Sequence, residues 1–135
     1  PGGQILIAIE NRLGLKYFAG CTEDHTGVFF DGIEDYPNLQ GVRTFSKKEL
    51  QEIIDRAGEF ETKFYYPYPD YKFPLTIYSD EYLPKCGELK VTAYNYDRAR
   101  MELFDEMRVE DTLISNGLFP EFSNSFFVRV KWGEA

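Results

Sequence analysis

Five apolar residues in unbroken succession, Ile5-Leu6-Ile7-Ala8-Ile9, lead into Glu10 and Asn11 near the start of the chain. A strand needs continuous rather than alternating apolar residues when both of its faces are covered. Residues 4–10 are therefore predicted as a central strand of a parallel sheet, buried on both sides. Residues 11–43 are rich in Gly, Asp, Asn and aromatics and hold no period, which predicts a long loop with a short helix at Leu13–Phe18. Ser46 with Glu49 then forms a capping box, and Leu50, Ile53, Ile54 and Ala57 fall at i, i+3, i+4, i+7. That is an amphipathic helix with one apolar stripe, stopped by Gly58 in a left-handed conformation.

Alternation returns after Gly58. Thr62, Phe64 and Tyr66 against Lys63 and Tyr65 predict a strand at about 61–67, ended by Pro67 and Pro69. The stretch 68–94 is broken by Pro69, Pro74, Pro84 and Gly87, with room for a short strand near 75–78. Ala99, Leu103 and Met107 lie four apart and predict a helix over 96–115, breaking near Arg108 and stopped at Asn116-Gly117. Ser123-Asn124-Ser125 is a turn. The last strand puts Phe126, Val128, Val130 and Trp132 on one face and Phe127, Arg129 and Lys131 on the other.

These elements fit one α/β domain, and 135 residues are too few for two. A strand buried on both sides needs a neighbour on each. The chain is thus expected to be a partial domain, with the missing neighbours in an upstream half.

Charge removes one class of partner. Fifteen basic against twenty-three acidic residues give a net −8, with no Lys/Arg cluster, so nucleic acid is not expected. No stretch approaches the ~20 apolar residues of a membrane span, and a cytoplasmic location is expected. Cys21 and Cys86 are isolated, free thiols are expected, and with a single His they make no zinc-type ligand set. No metal is expected.

Three groups of residues carry candidate chemistry. Glu10, Asn11 and Arg12 stand at the carboxyl end of the first strand, where open α/β sheets bind their ligands, although Glu10 could equally pair with Arg12. His25, the only His, has the proton affinity of a general base near neutral pH, and it too could instead be a loop residue bonded to backbone. Its neighbour Asp24 cannot easily orient the ring, so a more distant carboxylate such as Asp31 would have to. Tyr66, Tyr68 and Asp70, with Tyr65 and Tyr71 beside them, offer the aromatic faces and carboxylate that suit a sugar, or else the packed edge of a strand. Tyr17 and Tyr36 pose the same choice, while Arg98 and Arg100 are expected in solvent.

The Pro1-Gly2-Gly3 turn feeding an apolar strand, the Thr44-Phe45-Ser46-x-x-Glu49-Leu50 helix start, the Ala57-Gly58 end and the final Asn124-Ser125-Phe126-Phe127-Val128 strand together resemble the second half of a class I S-adenosylmethionine-dependent methyltransferase. Ile9-Glu10-Asn11-Arg12-Leu13-Gly14-Leu15-Lys16-Tyr17, Glu23-Asp24-His25-Thr26-Gly27 and Tyr66-Pro67-Tyr68-Pro69-Asp70-Tyr71-Lys72 are similar to bacterial methyltransferase modules beside or fused to glycosyltransferases of surface polysaccharide synthesis. The resemblance implies the acceptor-side, C-terminal half of a Rossmann-like sheet. It would have about three main strands with flanking helices, its last two strands antiparallel, and 70–121 as an insertion between them. It implies methyl transfer to a sugar or glycan-linked acceptor, with His25 as base and Glu10, Asn11, Arg12, Tyr66, Tyr68 and Asp70 around the acceptor. The Gly-rich loop and ribose-holding acid that bind S-adenosylmethionine cannot be placed in this sequence, so the cofactor is expected in the whole protein and not in this chain alone. The implied partners are the upstream half, a glycosyltransferase domain, and a second copy pairing along the edge of strand 4–10. The alternative is a non-catalytic interaction or scaffold module of a glycosyltransferase-associated protein.

Overall fold

In the computed structural model, which describes residues 2–38, 41–91 and 100–133, the chain is mixed α/β around one four-stranded antiparallel sheet. The elements in order are β1 (Gln4–Glu10), α1 (Leu15–Ala19), α2 (Lys47–Ala57), β2 (Phe60–Tyr68), β3 (Thr76–Ser79), α3 (Glu106–Ser115), α4 (Phe119–Phe122) and β4 (Ser125–Trp132). The sheet runs β1-β4-β2-β3. β4 is antiparallel to both of its neighbours, with Ile7 opposite Val128 and Phe64 opposite that same Val128, so β1 and β2 point the same way.

The register assigns the faces. Phe126, Val128 and Val130 of β4 share one side with Ile5, Ile7 and Ile9 of β1 and with Phe64 and Tyr66 of β2. Helices α2, α3 and α4 pack on this side: Leu50 and Ile54 of α2 and Phe119 of α4 join the sheet residues in one core, with Ile114 of α3 packed against it. Aromatic edge-to-face pairs tie it together, Phe64 on Phe126 at 5.5 Å and Tyr66 on Phe119 at 6.0 Å. The opposite side carries Leu6 and Ala8, Phe127 and Arg129, Lys63 and Tyr65, and Ile77.

One expectation about β1 is corrected here. Within this chain the strand is neither central nor parallel to its partner. Among the described residues it lies at an edge, pairs only with β4, and leaves Ile5 58% and Leu6 55% exposed. A strand's burial follows from how many neighbours it has, and the described residues supply one.

Ser46 and Glu49 close the predicted capping box reciprocally, so the start of α2 stands as read. Gly58 ends the helix in a nearly extended conformation (φ 159°, ψ −173°) rather than a left-handed one, because the chain turns directly into β2. The predicted 96–115 helix is shorter. Residues 92–99 lie outside the described region, 100–105 are not helical, and α3 starts only after Asp105, whose carboxylate accepts from the Met107 and Arg108 backbone N–H groups. It then runs unbroken through Arg108. Residues 100–103 are committed elsewhere: Met101 and Leu103 N–H donate to the carbonyls of Gly20 and Ala19.

Arg98 falls outside the described residues, but Arg100 is not the solvated side chain expected. It pairs with Glu106 and donates to the buried Cys21 thiol. Both cysteines are free, Cys21 buried and Cys86 exposed. No helix among the described residues is long and apolar enough to cross a membrane.

Candidate functional site

The carboxyl end of β1 is the most chemically loaded part of the molecule. The chain leaves the strand at Glu10, turns through Asn11–Gly14, and comes back as α1, which carries Lys16 under the end of β1. Lys16 Nζ stands 2.9 Å from Glu10 Oε2 and 2.8 Å from Asp70 Oδ2, and no more than 3% of any of these side chains is exposed. One cation thus serves two carboxylates in a dry site. Burying a net negative charge is costly, and the site resists it by holding a proton. Burial, reinforced by the Asp70 and Asp24 charges, outweighs Lys16 and pushes the Glu10 carboxyl well above its ordinary range. Burial also pushes on Asp70, but Lys16 together with hydrogen bonds from Glu10 and from the Lys72 backbone holds it below its ordinary value. Lys16 keeps its charge because Glu10, Asp70 and Asp24 overcome its desolvation. Among the described residues neither Glu10 Oε1 nor the buried hydroxyl of Tyr17 has a hydrogen-bond partner.

Above this cluster the turn 23–28 holds His25. The Glu23 and Val28 backbones and the Thr22–Phe29 bridge close the turn, and the buried Glu23 carboxylate fills its inside. Glu23 Oε2 accepts from the backbone N–H groups of His25 and Thr26 at 2.8 and 2.7 Å, and Oε1 lies 3.1 Å from His25 Nδ1. Tyr36, its hydroxyl bonded to Thr44, also donates to Glu23 Oε1. Glu23 therefore orients His25, the role expected of Asp31. In the tautomer whose Nδ1–H donates a hydrogen bond to Glu23, Nε2 carries the lone pair that can accept a proton. A cleft of about 350 Å³ joins the two layers, lined by Ala8, Glu10, Asp24, His25, Arg43 and Lys72 among others. It shares Asp24, His25 and Val42 with a broader depression that reaches Asp31.

The remaining predicted residues are separated by the structure. Asn11 is fully buried and spent on architecture: its amide donates to the Glu121 and Ser123 carbonyls and its oxygen accepts from Leu13 N–H. Arg12 does not pair with Glu10. Its guanidinium donates to Glu49 at 2.8 Å and to the Gly32 carbonyl, tying the loop to α2 and, with the Ser46 backbone, bringing the half-exposed Glu49 carboxyl down to about 2 despite partial burial. Tyr66 is in the core with its hydroxyl on Asp80, and Tyr68 caps the Val91 backbone from both sides. Of the group 66–71, Asp70 and Tyr71 alone reach the β1 end, Asp70 through Lys16 and Tyr71 as part of the cleft wall.

Sequence reasoning overlooked Lys16 and Glu23. Lys16 had a readable signal, a lone cation in a short helix whose other residues are nearly all apolar. Glu23 had none, since its partners depend on the turn geometry.

Two glycines near the β1 end are closed by packing: a Cβ on Gly14 would meet the Asn124 backbone at 3.0 Å, and one on Gly20 would meet the Met101 carbonyl at 2.3 Å. Glu10, at the end of β1, is engaged with Lys16. No step is routed through S-adenosylmethionine. No group of three or more His, Cys, Asp or Glu among the described residues could hold a metal ion. No family model, curated protein or solved structure matches the chain.

Proposed function

We propose that this chain is the acceptor-side half of a class I S-adenosylmethionine-dependent methyltransferase acting on a sugar or glycan-linked acceptor, completed by an upstream half that carries the cofactor. The observation that carries the reading is β1 itself. It is apolar on both faces, open along one edge, and directed so that further strands parallel to it and to β2 could extend the sheet. At its carboxyl end lies the cleft with Glu10 and His25, the position in which open α/β sheets hold ligands. In this reading His25, held by Glu23, takes the acceptor proton, and Glu10 lines the cleft that receives the acceptor.

The decisive experiment is to express the chain together with its upstream half and titrate that protein with S-adenosylmethionine by calorimetry. Micromolar binding supports the reading, and absence of binding removes it.

An edge of this kind also has a consequence for the 135-residue chain alone. β1 bears no Lys, Pro or bulge to discourage pairing, and Ile5 and Leu6 stand in water. The isolated chain is expected to self-associate as its concentration rises, with Leu6→Lys shifting it to a monomer in light scattering. A wild-type monomer at high concentration would contradict the open edge.

The second reading, a scaffold module of a glycosyltransferase-associated protein, draws on the other sheet side, where Leu6 and Ile77 are exposed beside the half-buried Tyr65 and Phe127. Replacing His25 and Glu10 by Ala in the full protein separates the two, because an unchanged methylation rate favours scaffolding.

A further inference from the structure

Lys63 and Arg129 stand directly opposite each other where β2 pairs with β4, and Lys131 follows Arg129 on the same side of the sheet. Like charges in facing positions of two strands repel, and the repulsion is relieved only where each cation has an anion beside it. Lys63 has Glu81 at 3.4 Å and lies over the Tyr65 ring, and Lys131 has Glu61 at 3.5 Å. Arg129 has no hydrogen bond or ion pair with any described residue. It is half-buried on an inner strand, in a chain whose net charge is −8. The unmet charge on this side of the sheet is therefore a positive one.

The row beside it is apolar. Ala8 of β1, Phe127 of β4 and Tyr65 of β2 lie side by side, the two rings 6.1 Å apart, and Leu6 stands next to Arg129. None of these residues belongs to the core on the other side of the sheet; Leu6 and Ala8 are exposed and both rings half-buried. Three strands about 4.8 Å apart make a strip about 10 Å wide, the width of one α-helix. The step along β4 from Phe127 to Arg129 is about 7 Å, and four residues of a helix advance about 6 Å. A helix lying along β4 thus sets one turn on Phe127 and the next on Arg129. At the other end the strip is closed, where Tyr71 N–H donates to Ser125 Oγ. Charge decides between occupants. The same face of a second copy has no unpaired carboxylate to offer, since Glu61 and Glu81 are engaged with Lys131 and Lys63. A nucleic-acid backbone asks for several unpaired cations and is repelled by the chain as a whole. An acidic turn on a helix answers the single guanidinium.

We propose that the side of the sheet opposite α2 docks an amphipathic α-helix of a partner protein, an apolar turn resting on Phe127 and Tyr65 and a carboxylate of the next turn pairing with Arg129. The proposal rests on the second reading of function, the scaffold module, and deepens it by naming the chemistry of the partner. It does not depend on what the cleft at the end of β1 binds.

The test uses the 135-residue chain, isotope-labelled and dilute, with three helical peptides of about 18 residues. Each carries Leu on one face of its first turns, followed on that face by Glu, Gln or Lys. The Glu peptide is expected to shift the Tyr65, Phe127 and Arg129 resonances with a dissociation constant of about 100 μM, and the Gln peptide to bind about tenfold more weakly. The Lys peptide should be the weakest of the three. Arg129→Gln should remove the difference between the Glu and Gln peptides, and Arg129→Glu should turn the preference toward the Lys peptide. Because Arg129 faces Lys63, Arg129→Gln should raise the urea midpoint of the free chain, so loss of discrimination cannot be laid to unfolding. Equal binding of the three peptides, shifts confined to other surfaces, or no shift with any peptide would each overturn the proposal. So would tighter binding of an oligothymidylate at the same residues, which would make the face a nucleic-acid platform. The methylation rate of the His25 and Glu10 double variant does not involve Arg129, so the scaffold reading and this proposal can fail separately.

Discussion

Lys16→Met should cost 3–5 kcal/mol at neutral pH, enough to unfold much of the population of a domain whose total stability is of order 5–15 kcal/mol. The side chain stays of similar length and the Met packs as well as the Lys stem did, so the loss is electrostatic. Glu10 and Asp70 would remain at the end of β1 without their shared cation at 2.9 and 2.8 Å, in a site that excludes water. The sign of the pH dependence separates this cause from poor packing. Without Lys16 both carboxyls fold with proton affinities above their unfolded values. Such groups lend stability that is intact below the unfolded pKa and is lost as pH rises through the folded one. Urea unfolding should therefore find the deficit small near pH 4 and fully developed by pH 7. A second arm removes one of the two acids: Glu10→Gln in the Lys16→Met background should recover roughly half of the loss. A deficit of equal size at both pH values would mean that the cluster is held by shape and not by charge.

How much of this was visible beforehand differs between local and distant features. The start of α2 is encoded within four residues, Ser46 to Glu49, and the two faces of β4 within eight, so periodicity and capping rules reach them. The end of α3 behaves likewise at Asn116, whereas its start does not. Residues 100–103 have a helical apolar spacing but spend their N–H groups on Ala19 and Gly20, some eighty residues earlier, and Asp105 then caps the helix late. Tertiary pairing overrode the local pattern.

The same division runs through the candidate site. That the carboxyl end of β1 would collect polar residues follows from the strand pattern alone. Which of them face one another does not, because Glu10, Lys16 and Asp70 meet through a turn and a strand end separated by more than fifty residues. Asn11, Arg12, Tyr66 and Tyr68 are polar groups that the fold consumes in holding itself together. A single sequence gives no means of telling a consumed polar group from a free one.

Glu110 makes the second large prediction, in a place where no function is assigned. It lies on the inward side of α3 beside a narrow crevice formed with Leu15, Tyr68, Phe119 and Phe122, and its Oε2 has no hydrogen-bond partner among the described residues. Burial first, and the neighbouring Asp111 charge second, push its carboxyl from 4.5 up to about 8. The folded protein holds the proton where the unfolded chain has released it. Stability is therefore lost as pH rises from the ordinary glutamate range through about 8. At 1.36 kcal/mol per pH unit this window caps the effect near ~5 kcal/mol, and about half of that is expected because an ionised carboxylate can shift toward water. Glu110→Gln keeps the neutral shape and removes the titration. It should match wild type at pH 5 and exceed it by about 2–3 kcal/mol at pH 9 in urea unfolding. The acids at the β1 end titrate in both proteins and cancel in the difference, so a flat difference across that range would place Glu110 in water and would count against the packing of α3 on the sheet.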